Sequence, residues 1–418
     1  MSDVRIAYIT EEFPPDKARG GIATYVAQAA QAMTARGHEV EVFTSSPQGA
    51  HMENQGSICV HWIGETPQIP FREAILPVFA RRHATNAFDL IEGPEFGADA
   101  ADIKSRFPRL PLVVRMHTPS LWLGKIGGDY PPRWRPYIHQ VFGQWRLLFG
   151  AWRRGRQPAI RRPFSTWWGQ MDAIESAHAR TAEIVACPCR DLMDYAIRRW
   201  RVPAIRVRYL PYVSAPTSDF LNIPIETNSL RIGFFGRLEQ RKGVLDLAKA
   251  IPSVLKKYPA EKFRLVGRSM RLPESGIMAD DAIKSSLGSL TAAVEFRGQV
   301  APGAMAREYA DVDLCVFPSI WENFPNVCLE AMAAGRGIVG SNAGGMAEML
   351  ADGAGLLVPP RNPSRLAEAI CSLLRDPAKR HDFGRRARRR LLEEYNTEKV
   401  GQMMETVYSE AIAIARAA

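Results

Sequence analysis

The chain has 418 residues, an apolar share of 46%, six cysteines and a formal net charge of +10. A length beyond the roughly 250–300 residues at which single cores usually split sets two domains as the expectation. No window approaches the ~18 uninterrupted apolar residues of a membrane span, and the N-terminus enters a strand pattern without the basic and apolar regions of a signal peptide.

Residues 4–10 (V-R-I-A-Y-I-T) form an apolar run that fits a buried parallel strand. A loop leads to Gly20-Gly21, a helical pattern follows, and Gly37 ends it. Further strands are expected at 38–44, 58–63, 89–92, 112–116, 183–186 and 206–210, with helical segments between them, including 171–182 and 191–200. Alternation of this kind implies a parallel sheet covered by helices. It breaks at residues 121–170, which read as a basic, aromatic insertion. Residues 214–228, polar and without periodicity, mark an interdomain linker.

A second α/β series begins with the strand 231–235 and the turn G-R-L-E-Q-R-K-G. A helix at 244–257 and strands at 263–266, 294–296, 314–317 and 337–340 follow, with a helix at 327–334 and others beginning at 364 and 378. The expected units are 1–213, 229–395, and a last amphipathic helix, 396–418, returning to the first domain. The fold class is α/β: two Rossmann-like, doubly wound domains facing a cleft.

The stretch 317–360 holds two strand–turn–helix units side by side. Ligands of open α/β sheets bind at the carboxyl ends of the strands, where helix N-termini also seat phosphate. Glu322 lies in the first turn, and Glu330 follows within the helix. A carboxylate there can accept hydrogen bonds from both hydroxyls of a vicinal diol, such as a ribose or a sugar offers. Arg237 and Lys242, beside a helix N-terminus, suit a diphosphate or form a solvated basic turn. Arg241 is adjacent and could as easily face solvent. Gly20-Gly21 is either a plain tight turn or a place where backbone approaches a ligand. It matches neither the dinucleotide fingerprint nor the ATP-type phosphate loop. His117, just after the strand 112–116, is either a structural hydrogen-bonder or part of the cleft.

Other groups point away from chemistry. The pair in Asp311-Val312-Asp313 precedes a strand, at the end away from the cleft, and Asp280-Asp281 reads as a loop pair, so no metal site is expected. Cys59, Cys187, Cys189, Cys315, Cys328 and Cys371 lack zinc spacing and read as buried or incidental thiols in a reducing, cytoplasmic setting. Arg133–Trp168 holds eight arginines and no acidic residue. It suits an anionic membrane surface, against an ordinary solvated insertion, with nucleic acid the weakest of the three readings. The basic run 375–390 reads as a solvated helix face.

With these residues in view, the sequence resembles the retaining glycosyltransferases of family 4, with the two-Rossmann-domain architecture called GT-B. The Glu-seven-residues-Glu spacing of E-N-F-P-N-V-C-L-E carries the likeness, together with G-R-L-E-Q-R-K-G, the Gly20-Gly21 loop, E-F-P-P and G-L-L-V-P-P. The resemblance implies transfer of a sugar from a nucleotide-diphosphate sugar, with UDP or GDP the expected carrier, to a glycan, lipid-linked or small-molecule acceptor. It implies no further cofactor and no metal. Glu330 would bind the donor ribose, while Glu322 with Asn323, Phe324, Pro325 and Asn326 would hold the transferred sugar. Arg237 and Lys242 would stabilise the leaving diphosphate, and His117 would contact the sugar near the anomeric carbon. Gly20 and Gly21 would admit a phosphate or the acceptor. The implied setting is cell-surface polysaccharide or glycolipid synthesis, at the inner face of a membrane if the insertion binds one. A sugar-nucleotide 2-epimerase on the same architecture and a non-catalytic glycan- or membrane-binding scaffold are the alternatives. One departure stands out: many relatives carry Asn-Gly after the proline that ends the first domain, where this chain has Pro211-Tyr212-Val213.

Overall fold

The computed structural model describes residues 3–17, 20–65, 68–127, 167–273 and 275–417. Among these, the first domain is a sheet of β1 (Arg5–Ile9), β2 (Glu39–Ser46), β3 (His51–Gln55), β4 (Ile58–Gly64), β5 (Leu90–Pro94), β6 (Leu112–Arg115), β7 (Ile184–Cys187) and β8 (Val207–Tyr209), in the order β3-β4-β2-β1-β5-β6-β7-β8. All pairs are parallel except β3–β4. The second domain is an all-parallel sheet of β9 (Arg231–Phe235), β10 (Lys262–Val266), β11 (Val294–Gly298), β12 (Leu314–Phe317), β13 (Gly337–Ser341) and β14 (Leu356–Val358), in the order β11-β10-β9-β12-β13-β14. These are two Rossmann-like parallel sheets. In each the strand order reverses once beside its first strand, between β1 and β5 and between β9 and β12. A reversal of this kind opens a crevice at the carboxyl ends of the flanking strands.

Local chemistry explains most elements. The strands that read as apolar runs are buried on both faces, as in Ile6–Ile9 and Leu314–Phe317. Helix Val244–Lys257 buries Val244, Leu247, Ala248, Ile251, Val254 and Leu255, which share one face at helical spacing. Asn362 and Asp376 cap helices Pro363–Arg375 and Pro377–Glu394, each accepting a hydrogen bond from the third helical N–H, with proline in the first turn.

Several expectations need correction. The strand β3 was not foreseen: H-M-E-N-Q has no apolar alternation and forms an exposed edge. The expected helix at 191–200 is present at 190–199 but changes character, from an α-helix, Arg190–Asp194, to a π-helix, Tyr195–Arg199. Asp280 and Asp281 sit in the first turn of helix Ala279–Leu287, not in a loop, and Asp280 accepts from Ser269 and Lys284. The run 375–390 is only partly solvated. Arg380 is buried and donates to the Thr227 carbonyl, and Arg388 ties the Ala333 and Ile223 carbonyls together. Of the insertion, helix Ser120–Gly127 and Trp167 onward are described, while residues 128–166, with the eight arginines, lie outside the described residues. No helix among the described residues is long and apolar enough to cross a membrane.

The chain crosses between the domains twice, at residues 214–228 and through helix Thr397–Ala417. That helix lies on the first domain, where Glu405 pairs with Arg36 and His38, and Arg208 pairs with Glu410. Its Tyr408 reaches the core. The Tyr408 hydroxyl bonds Tyr8 at 2.9 Å and Glu92 Oε2 at 2.6 Å, and Tyr25 donates to Glu92 Oε1 at 2.6 Å. Replacing Tyr408 by Phe leaves the buried Glu92 and Tyr8 short of a partner. A destabilisation of about 1–3 kcal/mol in urea-induced unfolding is expected, with no change in near-native secondary structure.

Candidate functional site

The turns that follow β9 and β12 flank the reversal of the second sheet and are fastened to one another. Ile320 N–H donates to the Arg241 carbonyl at 2.9 Å. Gly243, at φ +71°, lies so close to Pro318 that a Cβ would overlap its carbonyl oxygen. A third turn closes on these two: Gly345 N–H donates to the Glu322 carbonyl at 2.9 Å, and a Cβ on Gly344 or Gly345 would overlap the Glu322 or Asn323 carbonyl. The Gly344-Gly345 pair therefore braces the Glu322 turn; the Gly345 N–H is not free to seat a phosphate.

This packing brings three side chains together. Lys242 Nζ lies 2.6 Å from Glu322 Oε1, and Arg241 Nη1 lies 3.5 Å from Glu322 Oε2. Glu239 takes the other end of Arg241 at 2.7 Å and lies 3.3 Å from the half-exposed Arg237. Burial pushes the Glu322 carboxyl up, but Lys242 and then Arg241 outweigh it and hold it below its ordinary value. Burial drives the Lys242 ammonium below its ordinary value against the pull of Glu322. The sequence left Arg241 able to face solvent; the structure turns it onto the carboxylate, with its side chain 11% exposed. Its place in a 3-10 turn, Gln240–Lys242, directs both neighbouring cations inward, which the sequence did not reveal.

Glu330 lies one helix face further on, in Asn326–Ala333, and accepts from the Tyr309 hydroxyl at 3.0 Å. Burial pushes its carboxyl up to about 7, although Tyr309 lowers it. Asn326 opens that helix with its Oδ1 buried and, among the described residues, without a partner. Across the cleft, a Cβ on Gly21 would come within 3.8 Å of Asn326 Nδ2, and Gly20 caps helix Gly21–Ala35 in extended backbone. So the glycine pair of the first domain faces the 323–326 turn of the second.

His117 joins the same junction. Its backbone N–H donates to Glu95 Oε2 at 2.7 Å, and its Nδ1 is hydrogen-bonded to the Tyr212 hydroxyl. Asn323 Nδ2 donates to that hydroxyl at 2.9 Å, linking His117 to the second domain. Burial and then Arg115 hold His117 well below its ordinary value, so the ring is neutral. Arg115 is itself buried, with its guanidinium 4.5 Å from the Tyr25 ring and 5.0 Å from the Tyr212 ring. Phe324 stacks edge-on against Tyr212 at 5.7 Å, and Pro325 precedes the helix as its extended cap. Tyr212 and Glu95 were not among the expected site residues. The only signal for Tyr212 was its departure from the pattern after Pro211.

The acids set aside have structural roles. Asp313 accepts from the Ser229 and Leu230 N–H groups, and Asp311 pairs with Arg231 and Arg264. Glu41, Cys59 and His61 come within ligand distance of one another. The Glu41 carboxylate is already gripped by Arg82 and Arg5, both at 2.7 Å, and a divalent cation would meet that positive charge.

The description "Glycosyl transferases group 1" fits residues 229–376, and "Glycosyl transferase 4-like domain" fits residues 20–213. Among curated relatives, a D-inositol 3-phosphate glycosyltransferase of Kineococcus radiotolerans is 27% identical over 406 residues, 89% of this chain and 86% of the relative. Among solved structures, the sucrose-phosphate synthase of Thermosynechococcus elongatus superposes with a TM-score of 0.71 at 23% identity, over 98% of this chain and 99% of that one. Anabaena HepE, solved with UDP-glucose, gives 0.65 at 19% identity, over 97% of this chain and 99% of that one. These likenesses in structure speak for the shared GT-B fold.

Glu330 carries a pH prediction. Its carboxyl sits at about 7 in the fold against an ordinary 4.5, so the wild type loses stability as pH rises between those values. Glu330→Gln removes that loss. Its melting temperature should match the wild type near pH 4.5 and exceed it by a few degrees at pH 8 in thermal unfolding without ligand. A difference that does not vary with pH would contradict the raised carboxyl.

Proposed function

The chain belongs to the group 1 glycosyltransferases, and on that footing we propose that it is a retaining enzyme moving a sugar from a UDP- or GDP-sugar to a hydroxyl of a glycan, lipid-linked or small-molecule acceptor. The observation that carries this reading is the junction of the β9 and β12 turns. There two largely shielded cations converge on one buried carboxylate at the carboxyl ends of neighbouring strands, opposite a neutral histidine of the other domain.

In this reading the diphosphate of the donor lies over the β9 turn, against Lys242 and the half-exposed Arg237, with Arg241 behind them. Breaking the glycosyl–phosphate bond leaves positive charge on the sugar ring and negative charge on the departing diphosphate. Fixed cations in a dry cleft stabilise that negative charge without reorganising as it forms. They supply what a divalent metal would otherwise provide, and a metal-independent reaction follows. Glu330 accepts the ribose hydroxyls. Glu322 and the 323–326 turn hold the transferred sugar, with His117 on its other side. The acceptor enters past Gly20-Gly21, whose missing side chains leave room for it. Attack by the acceptor oxygen on the face that the diphosphate leaves, with the acceptor's hydroxyl proton passing to the departing phosphate oxygen, gives retention.

UDP-, GDP- and ADP-sugars separate by thermal shift, because a bound donor stabilises the fold by RT ln(1 + [L]/Kd), about 2.7 kcal/mol at a hundredfold excess over Kd. UDP- or GDP-sugars should raise the melting temperature and ADP-sugars should not. Lys242→Ala should lower turnover by about 10²–10³, and Glu330→Ala should abolish the thermal shift, both in folded protein. Wild-type turnover in Lys242→Ala would overturn the placement of the diphosphate.

A further inference from the structure

Tyr212 stands one residue after Pro211 and just before the chain leaves the first domain. The residue is 2% exposed. The ring is held between Tyr25, with centroids 4.9 Å apart, and Phe324 of the second domain, with the Arg115 guanidinium above it. Its hydroxyl has three polar neighbours: His117 Nδ1 in a short hydrogen bond, Asn323 Nδ2 at 2.9 Å and the Met116 carbonyl at 3.5 Å.

One phenolic proton must serve this arrangement. Asn323 is oriented by its own main chain, since its Oδ1 accepts from Phe324 N–H at 2.6 Å, so its Nδ2 donates to the tyrosine oxygen. The phenolic proton can then go to His117 Nδ1 or to the Met116 carbonyl. At 3.5 Å the carbonyl is beyond the range of about 2.5–3.0 Å of an O–H···O hydrogen bond. The proton therefore goes to Nδ1, which must be the unprotonated nitrogen. The doubly protonated ring is no alternative, because burial and then Arg115 hold His117 well below its ordinary value. The other nitrogen, Nε2, then carries the ring proton.

We propose that Tyr212 is a positioning residue that fixes His117 as the Nε2–H tautomer, so that the imidazole meets the sugar hydroxyls as a hydrogen-bond donor. The inference rests on the reading of His117 at the transferred sugar. Asn323 belongs to the opposite domain, so the donor is completed where the two domains meet. A hydroxyl that accepts from His117 Nε2–H must turn its own proton elsewhere, and the tautomer thereby selects the orientation of that hydroxyl.

Tyr212→Phe keeps the ring and removes only the hydroxyl. In the full-length protein labelled with ¹⁵N-histidine, long-range ¹H–¹⁵N correlation reads the tautomer, with His117→Gln assigning the signals. The wild type should show Nε2 protonated and Nδ1 bare, and Tyr212→Phe a mixture of the two tautomers. With the donor identified by thermal shift, Tyr212→Phe should lower kcat by up to about 10²-fold, with the donor KM within twofold of wild type. A protonated Nδ1 in the wild type, or an unchanged tautomer in Tyr212→Phe, overturns the inference. So does a wild-type kcat in a Tyr212→Phe protein of altered tautomer. Full turnover by His117→Gln would strike instead at the placement of His117 against the sugar, a failure that the tautomer measurement keeps separate.

Discussion

The contact between Lys242 and Glu322 is where the second domain's architecture becomes chemistry. Two opposite charges 2.6 Å apart are removed from water there, and their desolvation costs several kcal/mol per ion before any attraction is counted. Such a pair holds only in rigid surroundings. The rigidity comes from backbone: the β9 turn lies on Pro318 because position 243 lacks a Cβ, and the β12 turn lies on residues 344–345 for the same reason. Side chains placed by that framework keep their geometry when a ligand arrives. A second carboxylate, Glu330, sits on the helix that the β12 turn opens. The two acids thus share one support and differ in environment: cations hold one below its ordinary value, and burial lifts the other to about 7.

The first domain meets this framework through polar and aromatic contacts. Trp321, next to Glu322, stacks on Trp122 at 4.6 Å and donates its indole N–H to Asp191 at 2.9 Å. Glu348 accepts from the Arg190 N–H at 2.8 Å. With the Asn323–Tyr212–His117 chain, these contacts hold the cleft walls together at several points around the Glu322 turn. Helix Thr397–Ala417 fixes the first domain from behind, and its Tyr408 belongs to the same buried cluster of Tyr8, Tyr25 and Glu92 that faces Arg115.

The parts legible in the sequence were those governed by local periodicity or by residue type at a strand end. Parallel strands buried on both faces are apolar runs, and glycines between strand and helix mark the cleft side, so the two-domain α/β fold could be read directly. Glu322, Glu330, Lys242 and His117 stood out because each is a polar residue at the carboxyl end of a buried strand or on the helix that follows it. What escaped depends on three dimensions. Arg241 and Lys242 are neighbours in sequence, and only the 3-10 turn turns both inward. Tyr212 looks like an aromatic residue in a linker until the second domain places Asn323 against its hydroxyl. The arginines of 375–390 satisfy carbonyls of distant segments, which no charge pattern along one helix can foretell.

The two walls of the cleft differ in charge, and the difference has a direction. On the second domain the groups are ionic, with Lys242 and Arg241 on Glu322 and Arg237 half-exposed beside them. On the first domain burial favours the neutral form of His117 and of the carboxyls around it, while Arg115 keeps its charge against the Tyr25 and Tyr212 rings. Burial holds His117 itself well below its ordinary value, raises Glu95 and Asp99 well above theirs, and brings Glu175 to about 7. With the Arg115 charge turned onto the Tyr25 and Tyr212 rings, the neutral groups beside His117 give hydrogen bonds to uncharged hydroxyls. A cationic wall draws the charged end of a ligand and leaves the uncharged end to its partner. Under the proposed function, this asymmetry alone orients a nucleotide sugar, with its diphosphate on the second domain and its sugar toward the first.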